Sequence, residues 1–187
     1  MENVDLPNWF NYVKPNFSHL PKDSELSILQ IGVYKGDCTE YILENYRVKH
    51  IVDVDTWGGS MEHPDLNITF NVVESVYDSK FLDDKRVKKM KMTSDMYFAN
   101  NFPEEKFDFI YIDGAHTSMQ VLVDAINAFP RLKVGGILAF DDYEWPKYSG
   151  TLNNPKSGID CWLTLFRGHY ELLIQNYQIW VTKIKDV

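Results

Sequence analysis

From Phe107 to Tyr143 the chain reads FDFIYIDGAHTSMQVLVDAINAFPRLKVGGILAFDDY, and its carboxylates fall where chemistry is done. Asp113 closes one apolar run and the pair Asp141-Asp142 closes another, with a helical pattern between them. A strand, a helical crossover and a second strand make a parallel pair. If the strands are neighbours, Asp113, Asp141 and Asp142 converge at their carboxyl ends, where open α/β sheets take ligands. Anions gathered in a cleft repel one another unless a proton or cation intervenes. The arrangement therefore points to a divalent metal site in an enzyme. His116, at the start of the crossover helix, is a candidate general base or a partner of a metal-bound carboxylate or water. The plainer alternative is a helix-start residue that satisfies backbone.

Two upstream segments could hold a cofactor beside these acids. The first strand runs into Gln30-Ile31-Gly32-Val33-Tyr34-Lys35-Gly36, where Gly32 and Gly36 allow a close backbone approach before a helix begins. The spacing is G-x-x-x-G, which weakens a dinucleotide reading based on G-x-G-x-x-G. The second strand ends Asp53-Val54-Asp55. An acid about 20 residues past a glycine loop commonly meets ribose hydroxyls. Asp53 and Asp55 share a strand face, and Asp55 lies nearer the carboxyl end.

The elements that must position these residues alternate. Strands are expected at 27–33, 50–55, 87–92 and within the opening stretch, with helices at 36–46, 70–76, 94–100 and 157–166. Closing strands at 169–175 and 177–184 meet in a tight turn at Asn176. This is a doubly wound α/β domain with an antiparallel strand at its end. Residues 1–25, rich in proline and aromatics, form a separate segment expected to act as a lid or dimer contact, and 26–187 form the main domain. Tyr143, Trp145 and Tyr148 could line an acceptor pocket. Asp124, opposite the stripe Leu122, Ala125, Ile126 and Phe129, reads as a solvated helix face, and Asp160 as a helix cap. Trp162, Phe166, Tyr177 and Trp180 read as core or a subunit contact.

Composition narrows the partners. The 187 residues carry a net charge of −8, which argues against non-specific binding to nucleic acid or anionic membrane. The basic cluster Lys85, Arg86, Lys88, Lys89 and Lys91 is interrupted by apolar residues and reads as a solvated surface. Cys38 and Cys161 lack zinc or redox spacing, and neither a signal peptide nor a membrane span is evident. A soluble, cytoplasmic protein is expected.

The segments Ile28–Thr39, Val52–Trp57, Phe107–Tyr143, Pro155–Asp160 and Tyr177–Lys183 together resemble class I S-adenosylmethionine-dependent methyltransferases. The resemblance is closer to the metal-dependent small-molecule O-methyltransferases of the macrocin and cephamycin type. It implies a Rossmann-like, mostly parallel seven-stranded sheet with an antiparallel last strand. It implies that Gln30, Gly32, Gly36, Asp53, Asp55, Ser94 and Asp113 meet S-adenosylmethionine. Asp113, Asp141 and Asp142 would bind Mg²⁺ or another divalent cation, with Asp113 and His116 catalytic. The implied acceptor is a hydroxyl of a small molecule or glycan, and a homodimer is reasonable. The family usually has an acid where Gln30 stands and often one at Thr93. Two rival readings are an inactive cofactor-binding or assembly protein of the same fold, and a nucleotide- or NAD-binding Rossmann enzyme.

Overall fold

The computed structural model describes residues 10–59, 69–100 and 105–187. Its seven strands are β1 (Leu26–Ile31), β2 (Val48–Asp55), β3 (Val87–Lys91), β4 (Phe107–Ile112), β5 (Leu132–Phe140), β6 (Tyr170–Gln175) and β7 (Ile179–Lys183). The helices are α1 (Phe10–Val13), α2 (Asp37–Asn45), α3 (Phe70–Phe81), α4 (Ser94–Asn100), α5 (Ser118–Ala128) and α6 (Lys156–Leu165). The sheet order is β3-β2-β1-β4-β5-β7-β6. Strands β1 to β5 are mutually parallel, and β7 runs antiparallel to both β5 and β6. This is the mostly parallel seven-stranded sheet expected, with β7 as its antiparallel member.

Strands β1 and β4 are buried along nearly their whole length because helices cover both faces of the sheet. On one face Tyr97, Phe98, Val121, Ala125, Ile159 and Trp162 pack against Ile31, Val54, Ile110 and Leu138. On the other, Val13, Phe17, Cys38 and Ile42 pack against Ile28, Ile51, Phe109 and Trp180. Phe17, in the 3₁₀ turn Lys14–His19, is fully buried, with edge contacts to Phe109, Tyr111 and Trp180. That part of the N-terminal segment belongs to the sheet core; residues 1–9 lie outside the described residues.

Helix α3 extends past the expected end at residue 76, because Tyr77 and Phe81 continue the buried stripe begun by Val73. Edge strand β3 is held to α3 by charge. Lys89 reaches Glu74 and Asp78, and Lys91 reaches Glu74. Arg86 pairs with Asp84, so three residues of the basic cluster are engaged with acids. Among the described residues no helix is long and apolar enough to cross a membrane.

Candidate active site

The order 3-2-1-4-5 reverses between β1 and β4, and such a switch point opens a crevice at the carboxyl ends of the strands. Backbone bonds bring these ends level: the Asp113 amide donates to Ile31 O at 2.8 Å, and the Asp141 amide to Ile112 O at 3.0 Å. Gly32 lies hard against the backbone of Asp113. A β-carbon there would stand 1.9 Å from the Asp113 carbonyl oxygen, and its φ is +83°. The glycine is thus required for the loop after β1 to lie against the end of β4.

Asp55 organises that loop. Its Oδ2 accepts from the amides of Val33 and Tyr34 at 2.8 and 3.0 Å, and its Oδ1 from the Trp57 amide at 2.7 Å. A carboxylate offers about four lone-pair sites, so this set leaves acceptor capacity for a hydroxyl at the crevice. Asp53 differs. It is fully buried, and its Oδ2 accepts from the hydroxyls of Thr39 and Tyr77 at 2.9 and 2.8 Å. Burial, the dominant cause, pushes its carboxyl up to about 7, although both hydroxyls oppose the shift. Asp53, expected to meet cofactor, is instead enclosed within the fold. Gln30 is buried beside it, with its amide donating to Gly32 O at 2.9 Å and its Oε1 3.1 Å from the Thr39 hydroxyl. Gln30 thereby braces the glycine loop from beneath. Ser94 opens α4 and is bonded by the Gln120 amide at 3.3 Å.

The acid cluster divides in two. Asp113, His116 and Asp142 each offer an atom lying within 4.8 Å of the other two, a span suited to one cation. His116 Nε2 is 3.1 Å from Asp142 Oδ2 and 3.6 Å from Asp113 Oδ1. Burial first, and then the neighbouring Asp142 charge, raise the Asp113 carboxyl to about 6 against the pull of His116. Asp141 is turned to other partners: its Oδ2 accepts from the Tyr111 hydroxyl at 2.5 Å and its Oδ1 from the Asp142 amide at 2.8 Å. Burial and the charges of Asp113 and Asp142 hold its carboxyl well above the usual range. The structure therefore groups Asp113 and Asp142 with His116, where the sequence suggested a trio of aspartates. The Trp145 ring packs edge-on against His116 with centroids 5.2 Å apart, and Tyr148 follows at 6.0 Å from Trp145.

A family described as a methyltransferase domain matches residues 29–143, from β1 through the acids after β5. The chain belongs to this methyltransferase family. It carries the fold and domain of S-adenosylmethionine-dependent methyltransferases. The O-methyltransferase NovP superposes with a TM-score of 0.61 at 17% identity, covering 92% of this chain and 75% of that one. The N-methyltransferase NodS from Bradyrhizobium japonicum WM9, in complex with S-adenosyl-L-homocysteine, superposes with a TM-score of 0.60 at 12% identity, covering 94% and 85%. A curated relative, uncharacterized protein R132 of Acanthamoeba polyphaga mimivirus, is 21% identical over 141 residues. That match takes in 74% of this chain and 61% of the relative's length.

Three site features escaped the sequence reading. Asp124, expected to be solvated, is 1% exposed. It accepts from the Gln120 amide at 3.0 Å and, mainly through burial, is raised to about 6. Helices α4 and α6 flank α5 and cover the flank that a sheet-only packing would leave open. Asp160 accepts from the Tyr143 hydroxyl at 2.9 Å rather than capping α6. Tyr177 donates to Asp142 Oδ1 at 2.5 Å, a role that no spacing in the sequence signals. By contrast Trp162 and Trp180 are core, as expected.

Proposed function

We propose that this methyltransferase moves the methyl group of S-adenosylmethionine to a hydroxyl of a small molecule or glycan with the help of a divalent cation, Mg²⁺ or Mn²⁺. The observation that carries this reading is the convergence of Asp113, His116 and Asp142 beside the glycine loop at the switch point. Two carboxylates suit a hard cation. Asp113 and Asp142 would hold it. When bound, such a cation neutralises the paired acids and lowers the pKa of an acceptor hydroxyl.

Methyl transfer from a sulfonium is an in-line displacement: the carbon–sulfur bond breaks as the oxygen–carbon bond forms, and a neutral thioether leaves. Most of the protein's contribution is then positioning. Gly32 to Gly36 and Asp55 would orient the methionine end and ribose, with Ser94 on the adenine side. His116 Nε2, 3.6 Å from Asp113 Oδ1 and 3.1 Å from Asp142 Oδ2, would take the hydroxyl proton. Trp145 and Tyr148 would form one wall of the acceptor pocket. The overall charge of −8 and the pairing of Arg86, Lys89 and Lys91 with acids favour a small acceptor over a polyanion.

The test is methyl transfer to a panel of hydroxylated acceptors, with Mg²⁺ or with excess chelator. Asp142→Asn is expected to abolish metal-stimulated turnover while retaining S-adenosylmethionine binding. His116→Ala is expected to keep Mn²⁺ binding and lose about 10²–10⁴ in turnover. Full activity of the parent protein in chelator would refute the metal role.

A further inference from the structure

We propose that Tyr177 is a positioning residue for the cation site, fixing the Asp142 carboxylate so that Oδ2 alone faces His116 and Asp113. The inference rests on the metal reading above and concerns how one ligand of that site is oriented.

Asp142 is held in an unusual way. Its backbone has φ of +59°, in the left-handed region, which turns its side chain out of the line of β5. Its own amide is bonded to Asp141, and the amide of the next residue to the β6–β7 turn. The Tyr143 amide donates to Tyr177 O at 2.8 Å, and the Asp142 amide donates to Asp141 Oδ1 at 2.8 Å. The Tyr177 hydroxyl then donates to Asp142 Oδ1 at 2.5 Å, while Oδ2 lies 3.1 Å from His116 Nε2. One residue thus grips both the backbone beyond Asp142 and one oxygen of its carboxylate. A carboxylate otherwise rotates between equivalent oxygens and can chelate or bind through one. A phenol on Oδ1 occupies one of its lone pairs and fixes the rotation of the carboxylate, which favours ligation through Oδ2.

The turn that carries Tyr177 is itself anchored. The Gln178 amide donates to Asn176 Oδ1 at 2.9 Å, and the Trp180 indole donates to Gln178 Oε1 at 2.7 Å. The Asn16 amide reaches Gln178 Oε1 at 2.8 Å from the N-terminal 3₁₀ turn. The Gln178 side-chain Nε2 in turn donates to the Tyr111 hydroxyl at 2.9 Å, which is bonded to Asp141. Neighbouring residues of one turn therefore serve the two neighbouring acids separately. Tyr177 sets Asp142 for ligation, and Gln178, through Tyr111, holds Asp141 as a brace. Partners that orient metal ligands in this way typically contribute ~10–100-fold in metal affinity.

Mn²⁺ binding to the full chain, read by electron paramagnetic resonance of the free ion, tests this directly. S-adenosylmethionine binding by calorimetry is measured in parallel. Tyr177→Phe is expected to weaken Mn²⁺ binding ~10–100-fold with cofactor affinity retained. Unchanged Mn²⁺ affinity would overturn the positioning role while leaving the metal reading standing. Loss of cofactor and Mn²⁺ binding together would show a general structural role and overturn it too. If the parent protein takes up no Mn²⁺, the metal reading and this inference both fall.

Discussion

Asp53→Asn separates a buried structural carboxyl from a cofactor ligand. The Asp53 side chain is fully enclosed and its carboxyl is raised from 3.8 to about 7, with burial the main cause. Its Oδ1 has no hydrogen-bond partner among the described residues, so ionisation leaves a buried oxygen uncompensated. Below pH 4 the carboxyl is protonated in folded and unfolded chains alike. Between pH 4 and 7 the unfolded chain releases its proton while the folded chain keeps it. Stability is therefore lost as pH rises through this window. The two pKa values lie roughly 3 pH units apart, and at ~1.4 kcal/mol per unit the loss has a ceiling of about 4 kcal/mol. Asparagine still accepts from Thr39 and Tyr77 but does not titrate. Urea unfolding of both proteins at intervals from pH 4.5 to 8 should show the variant gaining on the parent by up to that amount as pH rises. Its S-adenosylmethionine affinity should stay within a few-fold of the parent's. A stability difference that is flat across this range would refute the reasoning, and a large loss of cofactor affinity would restore Asp53 as a ligand.

Gly32→Ala should lose more than the ~1–2 kcal/mol of a left-handed L-residue, because its methyl group would also meet the Asp113 carbonyl. Chemical denaturation gives the magnitude, and a variant as stable as the parent would contradict the close approach of β1 and β4. Trp145→Ala removes the ring against His116 and should raise acceptor KM several-fold with little change in cofactor affinity. Steady-state kinetics with the best acceptor of the panel would contradict the proposed pocket wall if KM did not move.

What the sequence made legible follows from the range of the forces involved. The β4–α5–β5 unit could be read because its apolar runs and helical stripe are local and uninterrupted. The hairpin at Asn176 was equally visible, but the insertion of β7 between β5 and β6 depends on non-local pairing. Strand alternation put Asp53 and Asp55 on one face. It could not show that two residues of depth separate an enclosed carboxyl from one at the crevice. Asp124 lies opposite the apolar stripe of α5, and periodicity within one helix does not show that neighbouring helices close that flank as well. Asp141 and Asp142 are adjacent and identical in type, and the groups that distinguish them, Tyr111 on one and His116 and Tyr177 on the other, are all distant in sequence. Tyr177 falls in an aromatic stripe that signals core, and the partner of its hydroxyl lies 35 residues away in sequence.

The most direct test of the central claim is calorimetric titration of the protein with S-adenosylmethionine, repeated on Asp55→Ala. Saturable binding at one site per chain is expected, strongly weakened in the variant. No heat and no thermal shift of the parent protein at millimolar S-adenosylmethionine would contradict it.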